Sequence, residues 1–205
     1  MKFYNTFILF FLFQISSFAQ SETDDVKFLE SLIRKTHPEG QIVYTDRLNI
    51  EHLNRALQYL RKSVITGITN ETKMNSIVLS KQEKKLLIQK LNEFTYPFWT
   101  ENLFSNSIMI KDENISGYIK KIYREYSESF VDPTNSASDK SNIINSYSRP
   151  SIFEFSLPVY LRENTIFVVF HSYYCGSPCG FDELSLYKLE NKTYKKWLVV
   201  YLANY

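Results

Sequence analysis

From residue 150 onward the chain reads as four strand-like runs in succession, at 152–161, 165–174, 183–189 and 196–202. Residues 152–161 alternate bulky and polar side chains imperfectly, and 165–174 are rich in Val, Phe and Tyr, which suit a pleated, half-buried surface. Glu190, Asn191 and Lys192 make a natural turn between the last two runs. Pro158, lacking an N–H for a ladder, suits an edge strand. Runs joined this closely form an antiparallel meander. Its apolar face must be covered, and the residues upstream are the candidate cover.

Upstream, residues 20–130 read as mainly helical. Val26, Leu29, Leu32 and Ile33 share one face of a helix over 25–35, which His37-Pro38-Glu39-Gly40 stops. Residues 41–45 are a short strand or loop. Ile50, Leu53, Leu57, Leu60 and Val64 line a second helix over 50–63, and Asn49 is placed to cap it. Residues 66–76 read as a polar connector. Ser80 and Glu83 form a capping box for a third helix, with Leu87, Leu91 and Phe94 as its apolar face and Pro97 as its stop. Ile115, Ile119, Ile122 and Tyr126 define a fourth helix over 115–126. Residues 132–148 are polar, small and aperiodic, as in a surface loop. The expected fold class is α+β: one domain over 20–205, a helical N-terminal part packed on a C-terminal four-stranded antiparallel meander.

Residues 1–19 have the layout of a secretory signal peptide. Lys2 is basic, residues 7–13 are unbroken apolar, and Ser17-Phe18-Ala19 is a small-x-small cleavage site. The apolar stretch is shorter than the roughly 20 residues a spanning helix needs; an uncleaved anchor is the alternative. With no other long apolar run, no transmembrane span is expected after cleavage. The expected location is exported, periplasmic or extracellular. Loss of Lys2 lowers the formal net charge of +2 by one. A chain this close to neutral implies no nucleic-acid or membrane-surface partner.

Cys175 and Cys179 are the only cysteines, and they lie between the second and third runs, among Gly176, Pro178 and Gly180. An even cysteine count in an oxidising compartment favours a structural disulfide that clasps the hairpin tip. Three alternatives stay open. An active dithiol needs a lowered thiolate pKa, usually from a helix N-terminus after the first cysteine. Here a strand-like run follows, and the spacing is C-x3-C. A metal site would add His171, but three ligands fall short of a closed zinc site and a disulfide removes two of them. Lastly, Tyr173, Tyr174 and Phe181 flank the loop. Rings beside a rigid turn suit a protein or glycan ligand; the default is that they pack into the sheet.

The remaining chemistry is sparse. His37 and His52 have no metal-ligand spacing. Neither G-x-S-x-G nor a phosphate-cradling glycine loop is present. Asp182 and Glu183 read as turn residues, and Lys81, Lys84, Lys85 and Lys90 as a solvated helix face. No cofactor signature emerges. The reading leans away from an enzyme and toward a non-catalytic exported binding or envelope-associated protein. The alternative is a thiol–disulfide redox protein using Cys175 and Cys179.

The stretch Phe155-Ser-Leu-Pro-Val-Tyr160, the hairpin Tyr173-Tyr174-Cys175-Gly-x-x-Cys179-Gly180 and the late Trp197 resemble a group of uncharacterised secreted proteins of Bacteroidota. The likeness covers the last third of the chain. The ending Tyr201-Leu-Ala-Asn-Tyr205 departs from the group's W-I-S-like close. This resemblance implies export and the hairpin, and brings no catalytic residue.

Overall fold

The computed structural model describes residues 24–68, 74–129, 151–175 and 179–205. The expected signal peptide, the polar loop at 132–148 and Gly176 to Pro178 lie outside the described residues. Contacts divide the chain into two compact units, residues up to Glu39 and Gly40–Tyr205. In the first, helix α1 covers 24–36, close to the helix expected at 25–35. The His37 N–H donates to the Ile33 carbonyl at 2.8 Å, closing its last turn.

The second unit carries β1 (Ile42–Thr45), α2 (Ile50–Leu60), β2 (Ile65–Ile68), β3 (Met74–Ile77), α3 (Lys81–Glu93), β4 (Ser107–Ile110) and α4 (Ile115–Ser129). There follow β5 (Ile152–Phe155), β6 (Val159–Leu161), β7 (Ile166–Tyr174), β8 (Gly180–Glu190) and β9 (Thr193–Asn204). Among the described residues all nine strands join one sheet, in the order β3-β2-β9-β8-β7-β5-β1-β4, with β6 also on β7. The fold is α+β, but the expected four-stranded meander is only its centre. The pairs β1–β4 and β1–β5 are parallel; the rest are antiparallel.

Residues 20–130 are thus less helical than their periodicity suggests. Residues 66–76, read as a connector, contribute to the β2–β3 hairpin. Ile65 and Ile77 are buried while Thr66 and Ser76 face water, an alternation masked by polar residues at an exposed edge. β1 is buried on both faces, so it shows no period at all.

The expected edge strand at 152–161 is divided. β5 is interior, between β7 and β1, and β6 lines the other half of the same β7 edge. The break falls at Ser156. Its N–H donates to the Phe170 carbonyl at 2.9 Å, and its hydroxyl accepts from the Phe170 N–H at 3.0 Å. A side-chain oxygen therefore keeps the ladder satisfied before Pro158. The β8–β9 turn is as expected: Asn191 and Lys192 take φ of 50° and 65°, and Glu190 pairs with Thr193.

The helices begin where the caps predict. Asn49 accepts from the Glu51 and His52 N–H groups at 2.9 and 3.3 Å. Ser80 and Glu83 close the capping box that opens α3. α2 lays Leu53, Ala56, Leu57 and Leu60 on the sheet face that carries Phe170, Leu184, Leu186 and Leu198, all buried. Ile50 and Val64, expected in the buried stripe, are about half exposed: Ile50 is the first residue of α2, and Val64 lies beyond its end at Leu60. α4 packs Ile115, Tyr118 and Ile119 on Val43, Ile110 and Ile152. On the opposite face Trp99 and Phe104 cover Phe155, and the indole N–H of Trp99 donates to the Phe155 carbonyl at 3.1 Å.

Two rows cross the sheet on the α2 side. Register places Glu154, Ser172, Asp182 and Ala203 in line on β5, β7, β8 and β9. The neighbouring row is Ile152, Tyr174 and Gly180, closed by Tyr205, whose N–H donates to the Gly180 carbonyl at 3.0 Å.

Candidate functional site

Asp182 is the hub of a polar cluster under the N-terminal half of α2. Its side chain is fully buried. The Ser172 hydroxyl donates to Oδ1 at 2.8 Å, and the Tyr205 hydroxyl donates to Oδ2. His52 Nδ1 lies 3.1 Å from Oδ1, off the line of an ideal hydrogen bond. Arg55 Nη2 lies 3.5 Å from Oδ2 and donates to the Tyr205 hydroxyl at 3.1 Å. One helical turn separates His52 from Arg55, so both reach the same carboxylate. The N–H of Asn49 donates to Glu154 Oε2 at 2.8 Å, tying the start of α2 to the same row of the sheet.

The electrostatics follow from burial and partners. Burial pushes the Asp182 carboxyl up, but the His52 imidazole 3.1 Å away and the hydrogen bonds from Tyr205 and Ser172 outweigh it and hold it below its ordinary value. The close approach of the Asp182 carboxylate raises His52 against the opposing effect of burial. Burial pushes Glu154 up to about 7, against the Asn49 N–H and the His52 charge. Burial and the Asp182 carboxylate raise Tyr205, so it stays a neutral donor. The His52 side chain is 28% exposed and that of Arg55 49%. His52 Nε2 makes no hydrogen bond within the described residues and is not sealed from water. An imidazole held at one nitrogen by a carboxylate, with the other accessible, can donate to a ligand or move a proton.

The hairpin tip closes beside this cluster. Cys175 and Cys179 form the disulfide, with Cα atoms 5.2 Å apart, and the Cys175 N–H donates to the Cys179 carbonyl at 3.2 Å. Cys175 is buried, and strand β8, not a helix, follows the ring. Tyr173 and Phe181 pack together on the face away from α2, their centroids 5.7 Å apart, with Tyr173 also on Phe153. Tyr174 points to the α2 side and is 36% exposed. The structure therefore divides the aromatic trio between two faces.

His171 lies on the Tyr173 side, edge-on to Phe181. Both sulfurs are in the disulfide, and among the described residues no group of three His, Cys, Asp or Glu side chains is placed to hold a metal. The grouping His171, Cys175 and Cys179 is thus not assembled. Burial lowers His171 to about 4 despite the facing Glu183, so it is a neutral core imidazole. Glu183 accepts from Ser185 and Lys196 at 2.5 Å each, and neither it nor Asp182 is the turn residue that the sequence suggests.

Asp182, Ser172, Glu154, Arg55 and Tyr205 escape motif reading because they come from five separate segments. One signal does point to Asp182. Asp182, Leu184 and Leu186 are in phase along β8, so a carboxylate occupies a position where the pattern asks for an apolar residue. No family model, no curated protein and no solved structure significantly matches this chain.

Proposed function

We propose that the chain is an exported binding protein whose ligand surface is the end of the sheet where α2, the clasped hairpin and Tyr205 meet. The organisation of Asp182 carries this reading. A sealed carboxylate holds Ser172, His52, Arg55 and Tyr205 in one arrangement, so the exposed donors and rings are fixed before any ligand arrives. Preorganised groups lose little entropy on binding. Tyr174 and Tyr205, 36% and 41% exposed, supply apolar faces beside the polar groups. Export is supported by the N-terminal layout and by a disulfide that an oxidising compartment would keep. The described residues contain no helix long and apolar enough to cross a membrane.

The test is a panel of soluble peptides and of neutral and acidic oligosaccharides, measured against wild type, Tyr174→Ala and Tyr205→Phe. Binding that weakens in either variant supports the reading. Turnover of a panel member that disappears in His52→Gln would replace it with an enzyme. Binding unchanged in both tyrosine variants would place the surface elsewhere.

A further inference from the structure

We infer that this surface binds an oxyanion, carboxylate or sulfate, on His52 and Arg55, and holds it only while His52 carries a proton. The inference rests on the binding reading above and names the ligand chemistry of that same site.

The geometry supplies the donors. Asp182 engages the Nδ1 side of His52, which directs any donated proton from Nε2 toward the open side. Arg55 commits Nη2 to Asp182 and Tyr205, and its half-exposed guanidinium retains further N–H groups. It also lies over the Tyr205 ring, 5.8 Å from the centroid, while His52 approaches the same ring at 5.9 Å. Two cations against one partly exposed ring form a cradle for a negative group, with an apolar face for what carries it. A sugar acid has this combination of carboxylate and C–H face.

The proton dependence follows from the neighbours. The groups facing His52 are Asp182 from β8, Arg55 on α2, Glu154 from β5, and Tyr205 beyond β9. Asp112 also faces Glu154, whereas Asp46 is paired with Arg47. Tyr201 and Tyr205 are raised and remain neutral. With His52 charged and Glu154 protonated, Arg55 and His52 outnumber Asp182. As pH rises Glu154 gains a charge near 7, and His52, whose proton Asp182 holds above the ordinary imidazole range, loses its own. The local charge moves two steps toward negative, whatever the constant background, and an oxyanion is then repelled.

The experiment is titration of the exported chain with digalacturonate at pH 5.5 and 8.5, with sodium sulfate and neutral cellobiose as further arms. Chemical shifts of the His52 ring locate the event. Linkage limits the effect to about tenfold in affinity per pH unit for each proton taken up. The expected result is at least about tenfold tighter binding of digalacturonate at pH 5.5, abolished in Arg55→Gln and, in His52→Gln, weakened at pH 5.5 and left with only the smaller pH dependence that Glu154 supplies. Sulfate competing equally would assign recognition to the charge alone; sulfate failing to compete would assign it to the sugar acid. Both outcomes support the site. Cellobiose binding as tightly as digalacturonate at both pH values, while still sensitive to Tyr174→Ala, would overturn the oxyanion assignment and leave the binding surface standing. No binding by either anion at either pH also overturns it. A matching thermal melt for each variant shows that a lost signal is not unfolding.

Discussion

The Tyr205 ring lies 3.4 Å, an ordinary contact distance, from the point where a side chain on Gly180 would begin, so the ring packs directly on the glycine at the base of the hairpin. Gly180 has φ of 149°, which other residues rarely adopt, and a Cβ there would also collide with the Tyr173 carbonyl oxygen. Gly180→Ala should therefore cost about 1–3 kcal/mol and displace Tyr205 from Asp182. Urea unfolding gives the stability, and the Tyr205 ring resonances give the displacement. A variant as stable as wild type would mean that the hairpin base is softer than its hydrogen bonds suggest.

Gly67 plays a different part. β2 joins the rest of the sheet through β9, and a Cβ at Gly67 would collide with the Val199 carbonyl. The obstacle is backbone on a central strand, which cannot swing aside. Gly67→Ala should detach the β2–β3 hairpin, costing about 1–3 kcal/mol. Hydrogen exchange localises the effect: amides of β2 and β3 should lose protection while those of β7 and β8 keep theirs. Uniform loss across the sheet would show that the hairpin is part of one cooperative unit with the centre.

What can be read from the sequence depends on where the information is local. Asn49 and the Ser80–Glu83 box are complete within four residues, and both caps form as expected. The β7–β8 hairpin is also local, since the cysteines sit at its turn. The nine-stranded sheet is not local. β1 meets β5 across more than a hundred residues, and short strands such as Ile42–Thr45 and Ser107–Ile110 carry too few alternations to show a period. The Asp182 cluster is the extreme case, because its meaning appears only when register brings β5, β7, β8 and α2 together.

The disulfide clasps a ring too short to restrain much of the unfolded chain. Loop entropy for five residues is about 2 kcal/mol before any strain. Cys175→Ser with Cys179→Ser should lower stability by about 1–2 kcal/mol and leave the fold intact. The sheet pairing beyond the tip, from Ser172–Asp182 onward, explains why. Circular dichroism with urea melts checks this; complete unfolding would give the clasp a larger role. The reduction potential of the same pair addresses the redox alternative, because a value below about −300 mV marks a bond that resists reduction.

Glu154 provides the sharpest pH prediction. A carboxyl raised in the folded state is one that the native protein prefers protonated. Its stabilising contribution is full below the unfolded value of 4.5 and is lost as pH rises through about 7. His171 runs the other way: lowered from 6.5 to about 4, it contributes stability above 6.5 that is lost as pH falls through about 4. The two slopes oppose each other between these values and flatten the native profile. Glu154→Gln retains an acceptor for the Asn49 N–H and removes the charge that burial penalises. The variant should gain on the order of 1–3 kcal/mol relative to wild type at pH 8 and little at pH 4. Its stability should rise between pH 4.5 and 6.5, now that the slope from His171 is unopposed. Urea midpoints at half-unit pH steps give the comparison, and a variant curve parallel to the wild type's would show that Glu154 titrates as an ordinary surface acid.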